Sequence, residues 1–142
     1  MAVRAEASGD AMASTGVNRH TGRLLTDWEH VLQSIEVILA TRFGDRVMRR
    51  WFGSNIPVLL GRNMVTVTFV RFYAAVGVAL TQEPRVELIR ISPLSVTREG
   101  HAGFLIELHY RPRGHLGDFT VEGSKRITVS PGSGDRFEVK SA

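Results

Sequence analysis

The chain has 142 residues, of which 43% are hydrophobic and 23% are charged. These proportions are typical of one globular domain and exclude a collagenous or largely disordered chain, and no run approaches the roughly 20 apolar residues of a membrane span. Cysteine is absent, which excludes a disulfide framework, a Cys-based zinc site, an iron–sulfur cluster and a thiol nucleophile.

The net charge of +4 is unevenly distributed along the chain. Residues 42–71 contain six arginines and one acidic residue, Asp45, so this stretch carries the whole positive excess. Arginine pairs bidentately with carboxylates and phosphates and stacks on aromatic rings. The stretch therefore predicts either a solvated surface or a binding face for an acidic partner.

The N-terminal 22 residues are rich in Ala, Ser, Gly and Thr, with scattered charges and no apolar block. Such a composition cannot bury enough apolar surface to fold by itself. We therefore predict a flexible arm over residues 1–22 and a single domain over residues 23–142.

The first helical pattern begins at Thr26, where Thr26 and Glu29 have the spacing of a capping box. Gly44 is placed to cap the C-terminus of this helix. The apolar residues that follow Thr26 form one stripe of a 3.6-residue repeat: Trp28, Val31, Leu32, Ile35, Ile38 and Leu39.

A second, short helix is predicted from Asp45 to Gly53, with Val47, Met48 and Trp51 on one face. That spacing directs the arginines of the segment outward: Arg46, Arg49 and Arg50. The apolar residues 56–60 are too few to classify, although Pro57 suits a first helical turn.

Residues 65–69 alternate like a strand, whereas the residues after them repeat like a helix, so local propensity is divided. We favour a helix over residues 66–81. Arg71 is its only charged residue, so the helix must be buried nearly all round or covered by a partner.

After Pro84 the pattern changes to short apolar runs separated by turns that contain Gly and Pro. Strands are predicted at residues 86–91, 104–110, 119–121, 126–129 and 137–139, with Gly132, Ser133 and Gly134 in the last hairpin turn. Helices followed by strands predict an α+β fold, in which N-terminal helices pack on a C-terminal antiparallel β-sheet.

Motifs for catalysis or cofactor binding are missing. The five histidines form no H-E-x-x-H helix, and there is no phosphate-binding loop, nucleophile elbow or dinucleotide motif, so neither a metal nor another cofactor is predicted.

The best carboxylate pair for glycoside hydrolysis is Glu36 with Asp45. A nucleic-acid site would use Arg111, Arg113 and the cluster at 42–50, with Trp51 or Phe52 stacking on bases.

Three strings are not explained by composition, and they stand in a fixed order: N-R-H-T-G-R at 18–23, with Trp28 and parts of 30–35; R-V-M-R-R at 46–50, with F-G-S at 52–54; and E-P-R at 83–85. Together, from about residue 17 to residue 91, they resemble the baseplate assembly protein W branch of the gp25-like family of contractile phage tails.

This resemblance implies a non-enzymatic structural protein of the virion baseplate, present in six copies and assembled in the cytoplasm of a bacterial host. Its implied partners are wedge proteins, the tail sheath protein and hub or spike proteins, and its implied task is to initiate the sheath. The implied protein-interaction residues are Glu83, Pro84, Arg85, Arg46, Arg49 and Arg50.

In the family the E-P-R motif contacts the wedge, and an edge of the sheet accepts strands from the sheath. The strands at 104–110 and 137–139 are both candidates for that edge. Because Pro84 makes a sharp exit from the helix, we expect Glu83 and Arg85 to present their charges there. Replacing either by Ala should then leave a folded chain that is not incorporated into baseplates.

Two alternatives from other classes remain beside this reading. A cell-wall glycosidase would use Glu36 and Asp45, and Glu36→Gln would abolish its turnover of peptidoglycan. A nucleic-acid-binding module would lose affinity steeply as salt increases.

Overall fold

The computed structural model describes residues 14–60, 62–63, 65–97, 102–131 and 137–142. A two-stranded hairpin is followed by three helices and a four-stranded sheet. The elements are β1 (Thr15–Val17), β2 (Leu24–Thr26), α1 (Asp27–Ala40), α2 (Ile56–Leu59), α3 (Thr66–Leu80), β3 (Val86–Val96), β4 (Ala102–Tyr110), β5 (Gly123–Pro131) and β6 (Phe137–Ser141).

The first strand of the hairpin and the turn after it begin inside the segment for which a flexible arm is predicted, residues 1–22. β1 pairs antiparallel with β2, and the turn between them is closed by the Asn18 side chain, whose Oδ1 accepts hydrogen bonds from the His20 and Thr21 amides at 2.8 and 3.1 Å. Residues 14–22 therefore form a strand and its turn rather than an arm, because local side-chain hydrogen bonds close the turn. The rest of the arm, residues 1–13, lies outside the described residues.

Helix α1 is where the apolar stripe predicts it, with its most apolar positions facing the core: Val31, Ile35, Ile38 and Leu39. The predicted caps are wrong. The Thr26 side chain makes no capping hydrogen bond, and the helix ends at Ala40, before Gly44. Thr41 is extended, and both its backbone amide and its hydroxyl donate to the Val37 carbonyl, at 3.1 and 2.6 Å.

The predicted helix at 45–53 is absent, and residues 42–55 instead form a series of turns. Val47 and Met48 are 78% and 92% exposed, so the predicted apolar face has no surface to pack against. The turns satisfy the backbone locally, with the Arg49 amide donating to the Arg46 carbonyl and the Gly44 amide to the Arg50 carbonyl. The short helix α2 follows, with Pro57 in its first turn as expected.

The helix favoured over residues 66–81 is confirmed, since α3 runs from Thr66 to Leu80. One face is buried through Thr68, Phe72, Val76, Ala79 and Leu80. The opposite face exposes three valines, so the helix is not buried all round within this chain: Val67, Val70 and Val78. Of the two alternatives predicted for this face, burial within the chain is therefore wrong.

The sheet has the order β3-β4-β5-β6, with every neighbouring pair antiparallel. β4 is paired on both sides, so the edge predicted at 104–110 is wrong, because its backbone groups are already bonded. The predicted strand at 119–121 is also wrong: these residues lie in an exposed loop after a 3₁₀ turn at Gly114–Leu116. The turn predicted at 132–134 lies outside the described residues.

The core lies between the helices and one face of the sheet. Phe72 of α3 stacks on Phe104 of β4, with ring centroids 4.1 Å apart, and Trp28 of α1 meets Tyr110 edge-on at 5.2 Å. Alternate residues of β4 complete the buried face: Phe104, Ile106, Leu108 and Tyr110. The predicted α+β fold is confirmed. Among the described helices, none combines the length and apolarity that crossing a bilayer requires.

Candidate protein-interaction site

The E-P-R tripeptide forms the corner between α3 and β3. Arg85 donates two hydrogen bonds to the Glu83 carboxylate, from Nε to Oε1 at 2.7 Å and from Nη2 to Oε2 at 2.8 Å. Glu83 is only 4% exposed and Arg85 only 7%, whereas Pro84 is exposed. The expectation that both charges are presented at the surface is therefore wrong: the two side chains neutralise each other inside the corner.

Three side chains from earlier in the chain complete this buried pair. The Ser34 hydroxyl of α1 donates to Glu83 Oε2. Arg85 Nη1 donates to Ser14 Oγ at 2.6 Å and lies 3.1 Å from His30 Nδ1. The corner thus links the start of the hairpin, α1 and β3 through one polar network, which sequence spacing alone could not reveal.

The protonation states in this network follow from burial and from the guanidinium. Burial would raise the pKa of Glu83, but the hydrogen bonds from Arg85 and Ser34 outweigh it and hold that pKa below its ordinary value. Burial, reinforced by the nearby Arg85 charge, lowers the pKa of His30. Glu83 is therefore the anion of the network, and His30 is a neutral acceptor beside Arg85.

Residues 42–52, here called the arginine loop, lie beside this corner. The Arg46 guanidinium lies 4.1 Å from the centre of the Phe52 ring. Arg49 lies 4.8 Å from the Trp51 ring centre and 5.7 Å from that of Phe52. Arg46, Arg49 and Arg50 are all exposed, as the sequence predicts. Two of them, Arg46 and Arg49, are positioned by cation–π contacts and not by the predicted helix.

Gln82 joins the arginine loop to the corner, a role that the sequence analysis missed. Its Nε2 donates to the Gly53 carbonyl at 2.7 Å, and its Oε1 accepts from the Gly53 amide at 3.0 Å. Gly53 has φ +124°, and a Cβ there would lie 2.5 Å from the Thr41 carbonyl oxygen. In the sequence, the one feature that could have indicated this role is the position of Gln82 immediately before E-P-R.

Residues 111–122, here called the apolar loop, also pack against the corner. The Arg111 amide donates to the Arg85 carbonyl at 2.8 Å, and Gly114 lies directly against the Pro84 carbonyl. Arg111, one of the arginines considered for nucleic acid, is paired with Glu87 within the chain. The loop exposes three large apolar side chains: Leu116, Phe119 and Val121.

The carboxylates considered for hydrolysis have separate local partners. Glu36 lies 3.9 Å from His20 Nε2, and Asp45 accepts a hydrogen bond from the Arg42 amide at 3.3 Å. Within the described ranges, no group of three or more acidic and histidine side chains is arranged to hold a metal ion.

A family model described as "Baseplate wedge protein gp25" matches residues 26–115, which include α1, the arginine loop, the E-P-R corner, β3 and β4. The "Baseplate protein W" of Escherichia phage P2 is 37% identical over 78 residues, which are 54% of this chain and 68% of that protein.

Two solved structures share the fold. A chain in the cryo-EM structure of the postcontracted baseplate of pyocin R2 superposes with a TM-score of 0.59 and 28% identity, covering 68% of this chain and 98% of the other. A crystal structure of a putative tail lysozyme from Geobacter sulfurreducens gives a TM-score of 0.55 and 27% identity, covering 70% of this chain and 85% of the other.

Proposed function

The chain belongs to the family of the baseplate wedge protein gp25, and from this membership we propose that it connects the baseplate to the first ring of the tail sheath and initiates sheath assembly. The structural role in a baseplate follows from the family itself and from the likeness to phage P2 protein W and to the pyocin R2 baseplate. The match over residues 26–115 carries the proposal, because it contains the whole E-P-R corner and the arginine loop.

The wedge-facing surface in this proposal is formed by Pro84 and by Arg46, Arg49 and Arg50. All four are exposed, and the Gln82 bridge to Gly53 fixes the arginine loop to the corner. Glu83 and Arg85 support this surface from beneath, as the buried pair that sets the shape of the turn. Hub or spike proteins are further partners in the proposal, which places six copies in each baseplate, assembled in the host cytoplasm.

The sheath-facing element in this proposal is β6. In the described part of the sheet, β3 and β6 are the edge strands. β3 carries two register irregularities, next to Leu88 and Pro93, and bulges of this kind hinder the addition of a further strand. β6 pairs with β5 without a shift, so its free side offers a regular row of backbone groups for strand addition.

The outward-facing amides of β6 can be identified from its register. The Ala142 amide donates to the Arg126 carbonyl at 2.9 Å, and Ser141 lies opposite Ile127. Because bonded and non-bonded pairs alternate in an antiparallel ladder, the Ser141 amide points away from β5.

Ser141→Pro is expected to block sheath initiation while leaving the fold intact. The substitution removes one outward donor, about 1 kcal/mol per copy, and places a ring where the added strand must approach. Across six copies we expect the fraction of sheathed tails, counted by negative-stain electron microscopy, to fall at least fivefold.

Ser141→Ala is the matched control, because it removes the side chain and keeps the amide. Its tails should carry sheath like the native ones. Normal sheath on tails that contain the proline variant would remove β6 from the proposal.

We further propose that the chain acts without catalysis. The likeness to a structure titled as a putative tail lysozyme is the observation that favours a cell-wall glycosidase instead. That chemistry needs two carboxyl groups facing one bond, and the local partners of Glu36 and Asp45, His20 and the Arg42 amide, favour the structural role.

A further inference from the structure

The arginine loop combines unneutralised positive charge with exposed apolar side chains. Its only acidic residue, Asp45, is bonded to the Arg42 amide, and among the described residues none of its four arginines has an ion-pair partner. Val47 and Met48 stand between these arginines, largely exposed. A partner that covers this loop must therefore supply carboxylates together with apolar surface.

The aromatic rings of the loop hold the guanidinium groups in place. Arg46 lies over Phe52, and Arg49 lies near both Trp51 and Phe52. A guanidinium stacked on a ring keeps the N–H groups at its edge free for a carboxylate. This arrangement is prepared for binding, since part of the side-chain entropy has been lost before a partner arrives.

The same contacts argue against nucleic acid as the occupant. Binding of single strands relies on aromatic faces that are open for bases to stack on, and here guanidinium groups lie over the rings of Trp51 and Phe52. Met48 and Val47, the most exposed apolar residues of the loop, suit packing against another protein.

We propose that the arginine loop is the docking site for an acidic segment of another baseplate protein, whose carboxylates pair with Arg46 and Arg49 while an apolar side chain packs on Val47 and Met48. The proposal rests on the baseplate role given above for the presence of such a partner. Because Gln82 fixes the loop to the corner, the segment docks beside the exposed Pro84.

A photo-crosslinker at Met48 tests this proposal in assembled particles. The chain with Met48→p-benzoylphenylalanine replaces the native chain during assembly, the purified particles are irradiated, and the crosslinked peptides are identified by mass spectrometry. We expect a crosslink to a segment of another baseplate protein that is rich in Asp and Glu. A crosslink to nucleic acid, to a second copy of this chain or to a basic segment would overturn the proposal, as would the absence of any crosslink.

Charge variants provide an independent measurement. Arg46→Glu with Arg49→Glu should lower incorporation of the chain into particles at least tenfold, whereas Arg19→Glu with Arg23→Glu, an equal change of charge at two exposed arginines of the hairpin turn, should lower it less than twofold. Equal effects would contradict the proposed docking site. Particles that lack even the native chain would instead overturn the baseplate role, whereas native incorporation without the expected crosslink overturns only the acidic partner.

Discussion

Replacing Arg85 by Met is expected to lower the free energy of unfolding by about 3–5 kcal/mol, because it leaves the Glu83 carboxylate buried without its counter-ion. The pair is almost fully shielded from solvent, and the Arg85 guanidinium donates one hydrogen bond to each oxygen of the Glu83 carboxylate. The substitution also removes the donor to Ser14 and so loosens the start of the hairpin. Urea unfolding at pH 7 measures the loss.

The double variant Glu83→Met with Arg85→Met distinguishes two contributions to the free energy of unfolding: the loss caused by an unpaired buried charge, and the net contribution of the ion pair. Removing both partners of a buried ion pair is often nearly neutral, so the double variant should be clearly more stable than the Arg85→Met single variant. A double variant as unstable as the single one would show that the unpaired Glu83 carboxylate is not what costs stability.

Because Glu83 and Arg85 are buried, a substitution at either residue alters stability as well as the surface of the corner. The sequence predicts that Glu83→Ala or Arg85→Ala leaves a folded chain that fails to assemble. With both side chains buried, each variant should first lose stability, so an assembly defect would not by itself identify a contact with a partner. The double variant, once shown to be folded, is the form in which incorporation can be tested.

Gly114→Ala is expected to cost about 2–3 kcal/mol of folding stability, the upper part of the range for overpacking. A Cβ at this position would lie 2.1 Å from the Pro84 carbonyl oxygen and 3.1 Å from the Arg85 Cα, and backbone atoms cannot rotate away as a side chain can. The apolar loop must then separate from the corner, which strains the hydrogen bond from the Arg111 amide to the Arg85 carbonyl. Thermal unfolding measures the change.

Gly123→Ala is the matched control, since a Cβ there meets nothing within 4 Å. It should change stability by no more than about 0.5 kcal/mol. Equal unfolding temperatures for the two variants would contradict the close approach between the apolar loop and the corner.

The sequence predicts the main helices and strands because their signals are long and periodic. Helix α1 follows an apolar stripe that coincides with its buried face. Helix α3 was ambiguous at residues 65–69, and it is helical because residues such as Phe72 and Val76 pack on the core along a single helical face. The α+β class follows from the order of these elements.

The errors lie where tertiary contacts outweigh local pattern. Residues 45–53 have a helical spacing, but cation–π contacts and the Gln82 bridge hold them as turns. Residues 119–121, Phe-Thr-Val, have the composition of a strand, yet they lie in an exposed loop. Glu83 and Arg85 are buried beside Ser34, Ser14 and His30. These contacts join residues that are 49, 71 and 55 positions apart along the chain, so no local pattern reveals them.

A cryo-EM map of the assembled particle would show directly whether this chain initiates the sheath. We expect the chain to lie between the baseplate wedge and the first sheath ring, with an extended segment of a sheath subunit paired along β6 to give a five-stranded sheet. A map in which β6 is unpaired, or in which the chain does not touch the first sheath ring, would contradict the proposal that this protein initiates the sheath.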